Sequence, residues 1–518
     1  MTSPPQTAPR RPSRQWSTLA TWGVLIGTWA VLLGARARLL RDPGTFWHIV
    51  VGDRILDSGL PWRDWLSFTA SGRPWIAQQW LAEVAMAALH RAAGLDGLLV
   101  ATTGLLAVLF AWLFHRAVTS GLAARWALLL VALAFLATAH HLHVRPHLVS
   151  IAAFAWTYAL LVDFEAGRIP ATRLALLWLA FVPWVNAHGG ALGGLATVAI
   201  AVVWWIAAYA LGWRSPVRGA RDAVALGVLL AGCAASVFLN PYGAALPKAW
   251  LTILRSTELP RLVVEHASLA ATGSWQVLAL AAVYVAVLAG TLPRRPGITA
   301  LLPLVWLALA VDRVRNAPLF AVAATIAIAE LLPRTRWIAS LASRGVWVAR
   351  GPAVRFPRFA WAAVAVVLAL VPVAQASVRR GGAGETLLAT LDERRWPVSL
   401  VPAIENAARG LPAGAPILND VTLGGFLLYE APRLRVFIDD RFELYGDDFL
   451  RRAVAADRHW LDAWVDCAGV TLALAERGGA LERYLLETSG WRALASSEAA
   501  VLMERAPIRR APASCPPP

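Results

Sequence analysis

Long apolar stretches recur along the chain as far as residue 376, and short polar segments separate them. Each stretch approaches the roughly 20 apolar residues that a helix needs to cross a membrane. The pattern predicts about eleven membrane-spanning helices. They cover residues 17–34, 97–115, 126–140, 148–162, 172–187, 191–212, 223–239, 275–292, 297–311, 316–332 and 359–376. Residues 17–376 are therefore predicted to form an all-α polytopic membrane domain, after a basic segment of residues 1–16.

Residues 76–94 have a helical period but carry a polar stripe along one side. The stripe consists of Gln79, Glu83, His90 and Arg91. A one-sided polar stripe favours a helix that lies in the membrane interface over one that crosses the hydrocarbon core. We therefore expect this segment to lie flat within a first outer loop of residues 35–96.

Beyond residue 376 the composition changes to a mixed and charged one. Predicted strands at 416–419, 435–439, 470–475 and 500–504 alternate with predicted helices. This alternation is typical of a small parallel or mixed α/β sheet, and we assign it to a domain of residues 377–508. Asn419 and the Asp439–Asp440 pair would end neighbouring strands, at the edge where such sheets bind ligands. Turn and cap formation is the alternative explanation for these residues. The proline-rich residues 509–518 are predicted to be a disordered tail.

The charge balance indicates how the chain is oriented in the membrane. Charged residues make up 15% of the chain, against roughly 25% in soluble domains. A net charge of +16 would suggest a nucleic-acid partner in a soluble protein. Here 18 arginines and only three acids lie in the segments predicted to be cytoplasmic, which is the positive-inside pattern. We therefore predict no nucleic-acid partner and an extracytoplasmic terminal domain. The three cysteines are too few and too scattered for a disulfide framework or a cysteine-based metal site.

With this topology, the polar clusters of the membrane domain fall on the outer side. The first outer loop carries Asp42, which could act as a general base or a metal ligand, or could simply be a solvated acid. Arg145, at the outer end of a span, is suited to bidentate phosphate binding, with a polar helix end as the alternative. His188 at membrane depth indicates a cavity. Arg315 could bind a pyrophosphate or form salt bridges with its neighbours.

Several segments together resemble a known family. They are RDPGTFWHIVVGDRILDSGLPWRDWLSFTASGRPWIAQQWLAEV, WVNAHGG, NPYG, RNAPLF and GGFLLYEAPRLRVFIDDRFELYG. In this order they resemble blocks of a large group of bacterial multi-spanning proteins that is similar to the C-type glycosyltransferase superfamily. The resemblance covers residues 40–505. It implies an enzyme of the bacterial cytoplasmic membrane that transfers a sugar from a polyprenyl-phosphate donor to an acceptor at the outer face.

The resemblance also implies roles for single residues. Asp42 takes the place of the acid that serves as catalytic base or orients a metal, and a divalent metal held by Asp42 and His48 is compatible with the pattern. Gly44 stands where relatives often carry a second acid, which leaves a paired-carboxylate mechanism in doubt. The implied substrate contacts are His48, Asp64, Arg145, His188 and Arg315. The alternative is a non-catalytic scaffold, transporter or assembly subunit with the same fold.

Overall fold

The computed structural model describes residues 14–293, 295–343, 359–380, 386–506 and 515–516, and most of them are helical. Every stretch predicted to span the membrane forms a helix or a pair of short helices. These helices are Arg14–Gly34, Trp80–Thr119, Ala124–Thr138, His147–Glu165, Ala171–Ala175 with Trp178–Ala187, Ala191–Ala210, Ala220–Ser236, Trp275–Gly290, Ile298–Asp312, Ala317–Leu331 and Ala360–Arg380. In the described part, six helices are long and apolar enough to cross a membrane. The chain is a multi-pass membrane protein, and the exact number of spans stays a prediction.

The two ends of the helix bundle carry different polar groups. At one end, Arg116 lies 2.8 Å from Asp163, and Arg168 lies 2.8 Å from Glu330. These pairs join three helices that the sequence predicts to meet at the cytoplasmic side. The opposite ends of the same helices carry the polar clusters predicted to face outwards. The arginine-rich end and the candidate site are therefore separated by the length of the bundle.

The predicted helix 76–94 begins at Trp80 and is separated from the following span by two residues with non-helical backbone, Ala93 and Gly94. Gly94 has a φ of +58°, which glycine adopts at little cost. The polar stripe of this helix contacts protein: His90 bonds Tyr429, and Arg91 pairs with Asp53 at 2.6 Å. The stripe was our argument for a helix lying flat in the membrane. Since contacts with other parts of the protein explain the polar stripe, the stripe no longer supports the flat orientation. The flat orientation stays a prediction.

The carboxy-terminal domain is built around a five-stranded mixed sheet. The strands are β1 (Ala415–Asn419), β2 (Leu434–Val436), β3 (Leu472–Glu476), β4 (Trp491–Ser496) and β5 (Ala500–Arg505). Their order is β2-β1-β3-β5-β4, with β2, β1 and β3 parallel and the last two pairings antiparallel. The helices are Val401–Arg409, Val421–Glu430, Phe442–Tyr445, Asp447–Ala455, Arg458–Cys467 and Ala480–Glu487. The predicted mixed sheet is confirmed, and β4 is the strand that the sequence analysis missed. Its burial pattern is mostly exposed, so it lacks a continuous apolar run.

This domain is fused to the first outer loop. Phe68 donates its N–H to the carbonyl of Val436, so the loop extends the edge of the sheet beside β2. A Cβ on Gly425 would lie 2.2 Å from the Pro43 carbonyl oxygen, which shows how closely the helix Val421–Glu430 approaches the loop. Phe46 packs edge-on against Trp396, with ring centroids 5.0 Å apart. The membrane domain and the terminal domain therefore share one core at this point.

A buried aspartate anchors the connection between the two domains. Asp96 follows the non-helical pair at Ala93 and Gly94, and its side chain has no solvent exposure. Its carboxylate accepts hydrogen bonds from the backbone N–H groups of Leu387, Leu388 and Ala389, at 2.6 to 2.9 Å. Three backbone donors on one carboxylate are a strong, charge-assisted arrangement.

A disulfide joins Cys467 to Cys515. The sequence predicts no framework of several disulfides. It also gave no sign of this single disulfide between two distant residues. The disulfide attaches the end of the chain to the helix Arg458–Cys467. The predicted disordered tail covers residues 509–518. Only Cys515 and Pro516 of this tail belong to the described residues.

Candidate active site

A cavity of about 540 Å³ lies between the helix bundle and the carboxy-terminal domain. Four residues that the sequence analysis singled out line it together: Asp42, Arg145, His188 and Arg315. They come from segments that are far apart in sequence and that meet where four different helices begin or end. The structure therefore brings these four residues to one cavity.

Two groups position Asp42: the backbone at the start of the helix Gly44–Ser58 and the side chain of Arg145. One carboxylate oxygen accepts from the backbone N–H of Gly44, the first residue of the helix Gly44–Ser58, at 2.7 Å. The other lies 3.0 Å from the Arg145 guanidinium. A Cβ on Gly44 would lie 2.7 Å from Asp42 Oδ1 and 2.8 Å from Arg145 Nε. Gly44 therefore leaves the room that Arg145 needs to reach Asp42.

Arg145 lies among three carboxylates. Besides Asp42, Glu265 lies at 3.6 Å and Asp440 at 3.9 Å from the guanidinium. Burial alone would lower the pKa of Arg145, but Asp42, Glu265 and Asp440 outweigh it and raise the pKa. Glu265 and Asp440 thus bring further carboxyl groups to Arg145 from elsewhere in the chain. Glu265 was not predicted, because nothing in its sequence neighbourhood marks it.

Asp440 comes from the carboxy-terminal domain and is 7% exposed. Its Oδ1 has no hydrogen-bond partner among the described residues. Burial raises the pKa of Asp440 to about 8, with Asp42 and Asp439 adding to the effect and Arg145 opposing it. Burial therefore favours the neutral form of the Asp440 carboxyl group, next to the cation of Arg145. The sequence predicts Asp440 at a sheet edge that binds ligands but does not connect it with the membrane domain.

Arg315 has a different environment. Its Nη1 donates to Nε2 of His266 at 2.6 Å, and no carboxylate of the described chain forms an ion pair with it. Burial, and then Arg315 itself, lower the pKa of His266 to about 3, so His266 accepts this bond as a neutral ring. Glu265 is near enough to attract Arg315 but forms no ion pair with it, so the guanidinium is able to pair with an anion in the cavity.

His188 offers a hydrogen-bond donor to the same cavity. Its Nδ1 accepts from the backbone N–H of Gly190 at 3.0 Å and faces the Ser150 hydroxyl at 2.7 Å. Burial, and then His147, lower the pKa of His188 well below its usual range. A neutral ring that accepts at Nδ1 carries its proton on Nε2.

Two predicted substrate contacts lie outside the cavity lining. His48 is fully buried, and its Nδ1 lies 2.9 Å from Glu83 Oε1. Asp64 is also buried, 2.7 Å from the Arg441 guanidinium, and it accepts from the Ser67 hydroxyl at 2.7 Å. Both were expected to bind substrate because they match the family pattern. In the structure they hold neighbouring protein groups, and neither reaches the cavity.

The structure groups a different set of potential metal ligands from the one expected. One ligand atom each of Asp42, His143 and Glu265 lies within 4.8 Å of the others. His48, the predicted partner of Asp42, is not in this group because its Nδ1 contacts Glu83. Arg145 already contacts both carboxylates of the group, so a cation would share them with the guanidinium.

The cavity extends to the carboxyl ends of β1 and β3, where Asp420, Thr422 and Glu476 line it. β1 lies between β2 and β3, so the connection after β1 runs to one side of it and the later connection to β3 runs to the other side. Ligands of parallel sheets bind at such a change of direction, which is called the topological switch point. Asn419 lines this part of the cavity, at the sheet edge where the sequence placed it, and its side chain bonds the backbone of Phe437 and Ile438. These bonds connect β1 to the segment after β2, a structural role that differs from the turn or cap formation considered as the alternative.

Comparisons with known proteins bear on the fold. No family model matches the sequence, and no curated protein matches it. Among solved structures, ArnT from Cupriavidus metallidurans in the apo state is similar, with a TM-score of 0.51 and 17% identity over 94% of this chain and 97% of that one. ArnT bound to undecaprenyl phosphate gives 0.50 and 15%, over 95% and 98%.

The arabinofuranosyltransferase AftD from Mycobacteria is also similar, with a TM-score of 0.50 and 14% identity over 96% of this chain. The chain spans 42% of the length of AftD. These similarities confirm the predicted fold, a membrane domain like that of the C-type glycosyltransferases followed by a small α/β domain.

Proposed function

We propose that this chain is a glycosyltransferase of the bacterial cytoplasmic membrane that transfers a sugar from a polyprenyl-phosphate donor to an acceptor hydroxyl at the outer face. The main observation behind this proposal is the set of residues that line one cavity. Arg315, which forms no ion pair with the described residues, lines it together with the carboxyl groups of Asp42 and Asp440. Transfer from a lipid phosphate needs a cation for the phosphate and a base for the acceptor. The likeness to a structure that holds undecaprenyl phosphate supports a polyprenyl phosphate as the lipid.

The donor phosphate would bind at Arg315, with the Nε2–H of His188 as a second donor. Guanidinium groups form bidentate, charge-assisted bonds to phosphate oxygens. The polyprenyl chain would extend from there between the membrane helices. Arg145 is a poorer candidate for the phosphate than the sequence suggested, because Asp42, Glu265 and Asp440 already surround it.

Asp42 would act as general base. Its carboxylate takes the proton of the acceptor hydroxyl while the hydroxyl oxygen attacks the anomeric carbon. The bond between that carbon and the phosphate oxygen breaks, and the lipid phosphate leaves with both electrons of the bond. Arg315 stabilises the charge that develops on the phosphate. Asp440, protonated at neutral pH, would donate a hydrogen bond to the substrate from the side of the carboxy-terminal domain.

A divalent cation would fit the donor set of Asp42, Glu265 and His143, since two carboxylates and an imidazole are common ligands for such ions. Bound there, it would supply positive charge beside the reacting groups. The acceptor would enter from the switch of the sheet, at Asp420 and Glu476, because the cavity continues to that edge.

The test is sugar transfer by the purified chain in vesicles supplied with a polyprenyl-phosphate sugar. Asp42→Asn keeps the shape but removes the base, and we expect the rate to fall about 100-fold or more. Asp312→Asn is the matched control, because the Asp312 side chain is 76% exposed. An EDTA arm tests the cation. Full activity of Asp42→Asn would remove Asp42 from the mechanism. A wild type that neither transfers sugar nor binds the lipid would favour the non-catalytic alternative.

A further inference from the structure

Two buried polar atoms, each in a residue that lines the cavity, have no hydrogen-bond partner in the described part of the chain. They are Nε1 of Trp47, a residue that is 5% exposed, and Oε2 of Glu83, which is 1% exposed. An unpaired buried donor or acceptor is costly, and native structures rarely leave one without a ligand or water. Here a donor and an acceptor lie in neighbouring side chains. Neither takes part in the proposed transfer step.

The two side chains belong to one packed group. The Trp47 ring lies 3.7 Å from the ring of His48, and His48 Nδ1 lies 2.9 Å from the other carboxylate oxygen of Glu83. Burial, and then Arg145, lower the pKa of His48 well below its usual range, so His48 is neutral. The hydrogen bond between His48 Nδ1 and Glu83 Oε1 holds the Glu83 side chain in place, and Oε2 takes no part in that bond.

An aromatic wall completes the group. Trp75 lines the cavity with its ring centroid 6.5 Å from that of Trp47. Its Nε1 donates to Glu443 at 3.0 Å, and the Arg441 guanidinium lies 4.6 Å from its ring centroid. The Trp75 ring is therefore held in place from two sides and offers a rigid apolar face.

The chemistry of this group does not suit a phosphate. Burial raises the pKa of Glu83 well above its usual range, and neither Trp47, His48 nor Glu83 brings a positive charge for a phosphate, which Arg315 attracts elsewhere in the cavity. An indole N–H beside a carboxylate oxygen is complementary to two hydroxyl groups, one accepting and one donating. Polar groups of this kind, placed in a largely aromatic pocket, are what fixes the orientation of a small ligand.

We propose that Trp47 and Glu83 bind the sugar ring of the donor through two neighbouring hydroxyl groups, with Trp75 against the face of the ring. This rests on the proposed function. The pocket selects a neutral sugar, because a uronic acid would bring its carboxylate into a buried group that offers it no positive charge.

The experiment measures binding to the purified full chain in nanodiscs. The probes are undecaprenyl phosphate itself and undecaprenyl phosphate carrying glucose, mannose, galactose, arabinofuranose or glucuronic acid. We expect at least one neutral sugar to increase the affinity about 10-fold or more over the bare lipid phosphate, and glucuronic acid to give no increase. Trp47→Phe removes the donor, and Glu83→Gln replaces the acceptor by an amide that can still bond His48. Each should remove most of the increase and leave the affinity for the bare lipid phosphate within about twofold.

Trp29→Phe is the matched control, because Trp29 bonds Thr103 within the membrane helices. Thermal unfolding of each variant shows whether it folds, and Trp47→Phe decides alone if Glu83→Gln does not. A sugar-dependent increase that survives Trp47→Phe would overturn the pocket while the proposed function stands. If the wild type fails to bind the bare lipid phosphate, both the pocket and the proposed function are overturned.

Discussion

At the scale of single residues, Arg145 organises the site because it brings three carboxyl groups of different segments together. Asp42 and Glu265 belong to two different loops of the membrane domain, and Asp440 belongs to the carboxy-terminal domain. Gly44 makes the arrangement sterically feasible. The absence of an acid at this position therefore has a physical reason, since a larger side chain would displace the guanidinium.

The raised pKa of Asp440 leads to a prediction about pH. The protonated carboxyl group is the form that can donate a hydrogen bond, so the transfer rate should fall as the pH rises through about 8. Asp440→Asn keeps a donor that does not titrate, and its rate should lack this decline. Asp440→Ala should be slower at every pH, by about 10-fold or more. The measurement is the pH dependence of the transfer rate, between the acidic range and pH 10.

The same shift has a consequence for stability, and its sign can be stated. The pKa of Asp440 is about 8 in the folded chain and about 4 in the unfolded chain. The neutral carboxyl group therefore stabilises the fold fully below about pH 4, and this stabilisation is lost as the pH rises to about 8. The charged groups that face Asp440 are Arg145, Asp42 and Asp439. Unfolding of Asp440→Asn should therefore depend less on pH in this window. An identical pH dependence in both proteins would show that Asp440 is not a buried acid.

A site residue could be predicted where its sequence neighbourhood makes it stand out. Asp42, Arg145, His188 and Arg315 stand in polar segments at the ends of apolar stretches, where an ionisable residue is conspicuous. Glu265 and Asp440 lie in mixed segments, and only the tertiary contact with Arg145 gives them a place in the site. His48 and Asp64 were chosen by family pattern, which does not distinguish a side chain that binds substrate from one that holds its neighbours.

At the scale of helices and strands, the close approach of Gly425 to Pro43 couples the carboxy-terminal domain to the loop that carries Asp42. Gly425→Ala would place a methyl group 2.2 Å from a backbone oxygen, so the helix Val421–Glu430 or the loop must shift. We expect a loss of stability of about 1–3 kcal/mol, together with slower transfer because Asp42 is displaced. Thermal unfolding and transfer rates are the measurements.

The control for this substitution is Gly410→Ala. Gly410 has a φ of −76°, and a Cβ there would meet its nearest neighbour at 3.5 Å, an ordinary contact. Its stability should stay within about 0.5 kcal/mol of the wild type. Equal effects of the two substitutions would mean that the contact with Pro43 does not couple the domains.

The elements of this fold were predictable to different degrees. Membrane helices gave a strong signal because each needs a long apolar stretch, and every predicted stretch is helical. Strands β1, β3 and β5 were recognisable as buried apolar runs. The exposed β4 was not, and neither was the pairing of residue 68 with Val436, since an edge contact of a single pair leaves no periodic pattern.

At the scale of the whole molecule, the candidate site and the arginine-rich end lie at opposite ends of the same helices. The positive-inside rule assigns the arginine-rich end to the cytoplasm, which predicts that the cavity and the carboxy-terminal domain lie outside. The disulfide between Cys467 and Cys515 supports this orientation, because disulfides persist in oxidising compartments. The disulfide is independent of the arginine count, which is the sequence argument for the orientation.

The orientation is tested by labelling two single cysteines in intact cells with a membrane-impermeant maleimide. Ala413 is exposed in the carboxy-terminal domain, and Ala166 is exposed in the turn after the helix His147–Glu165, at the arginine-rich end. Ala413→Cys should react in intact cells with a permeable outer membrane, whereas Ala166→Cys should react only after lysis. The native free thiol, Cys233, is buried and should contribute little background. The reverse labelling pattern would put the cavity on the cytoplasmic side, where a donor and an acceptor at the outer face could not reach it.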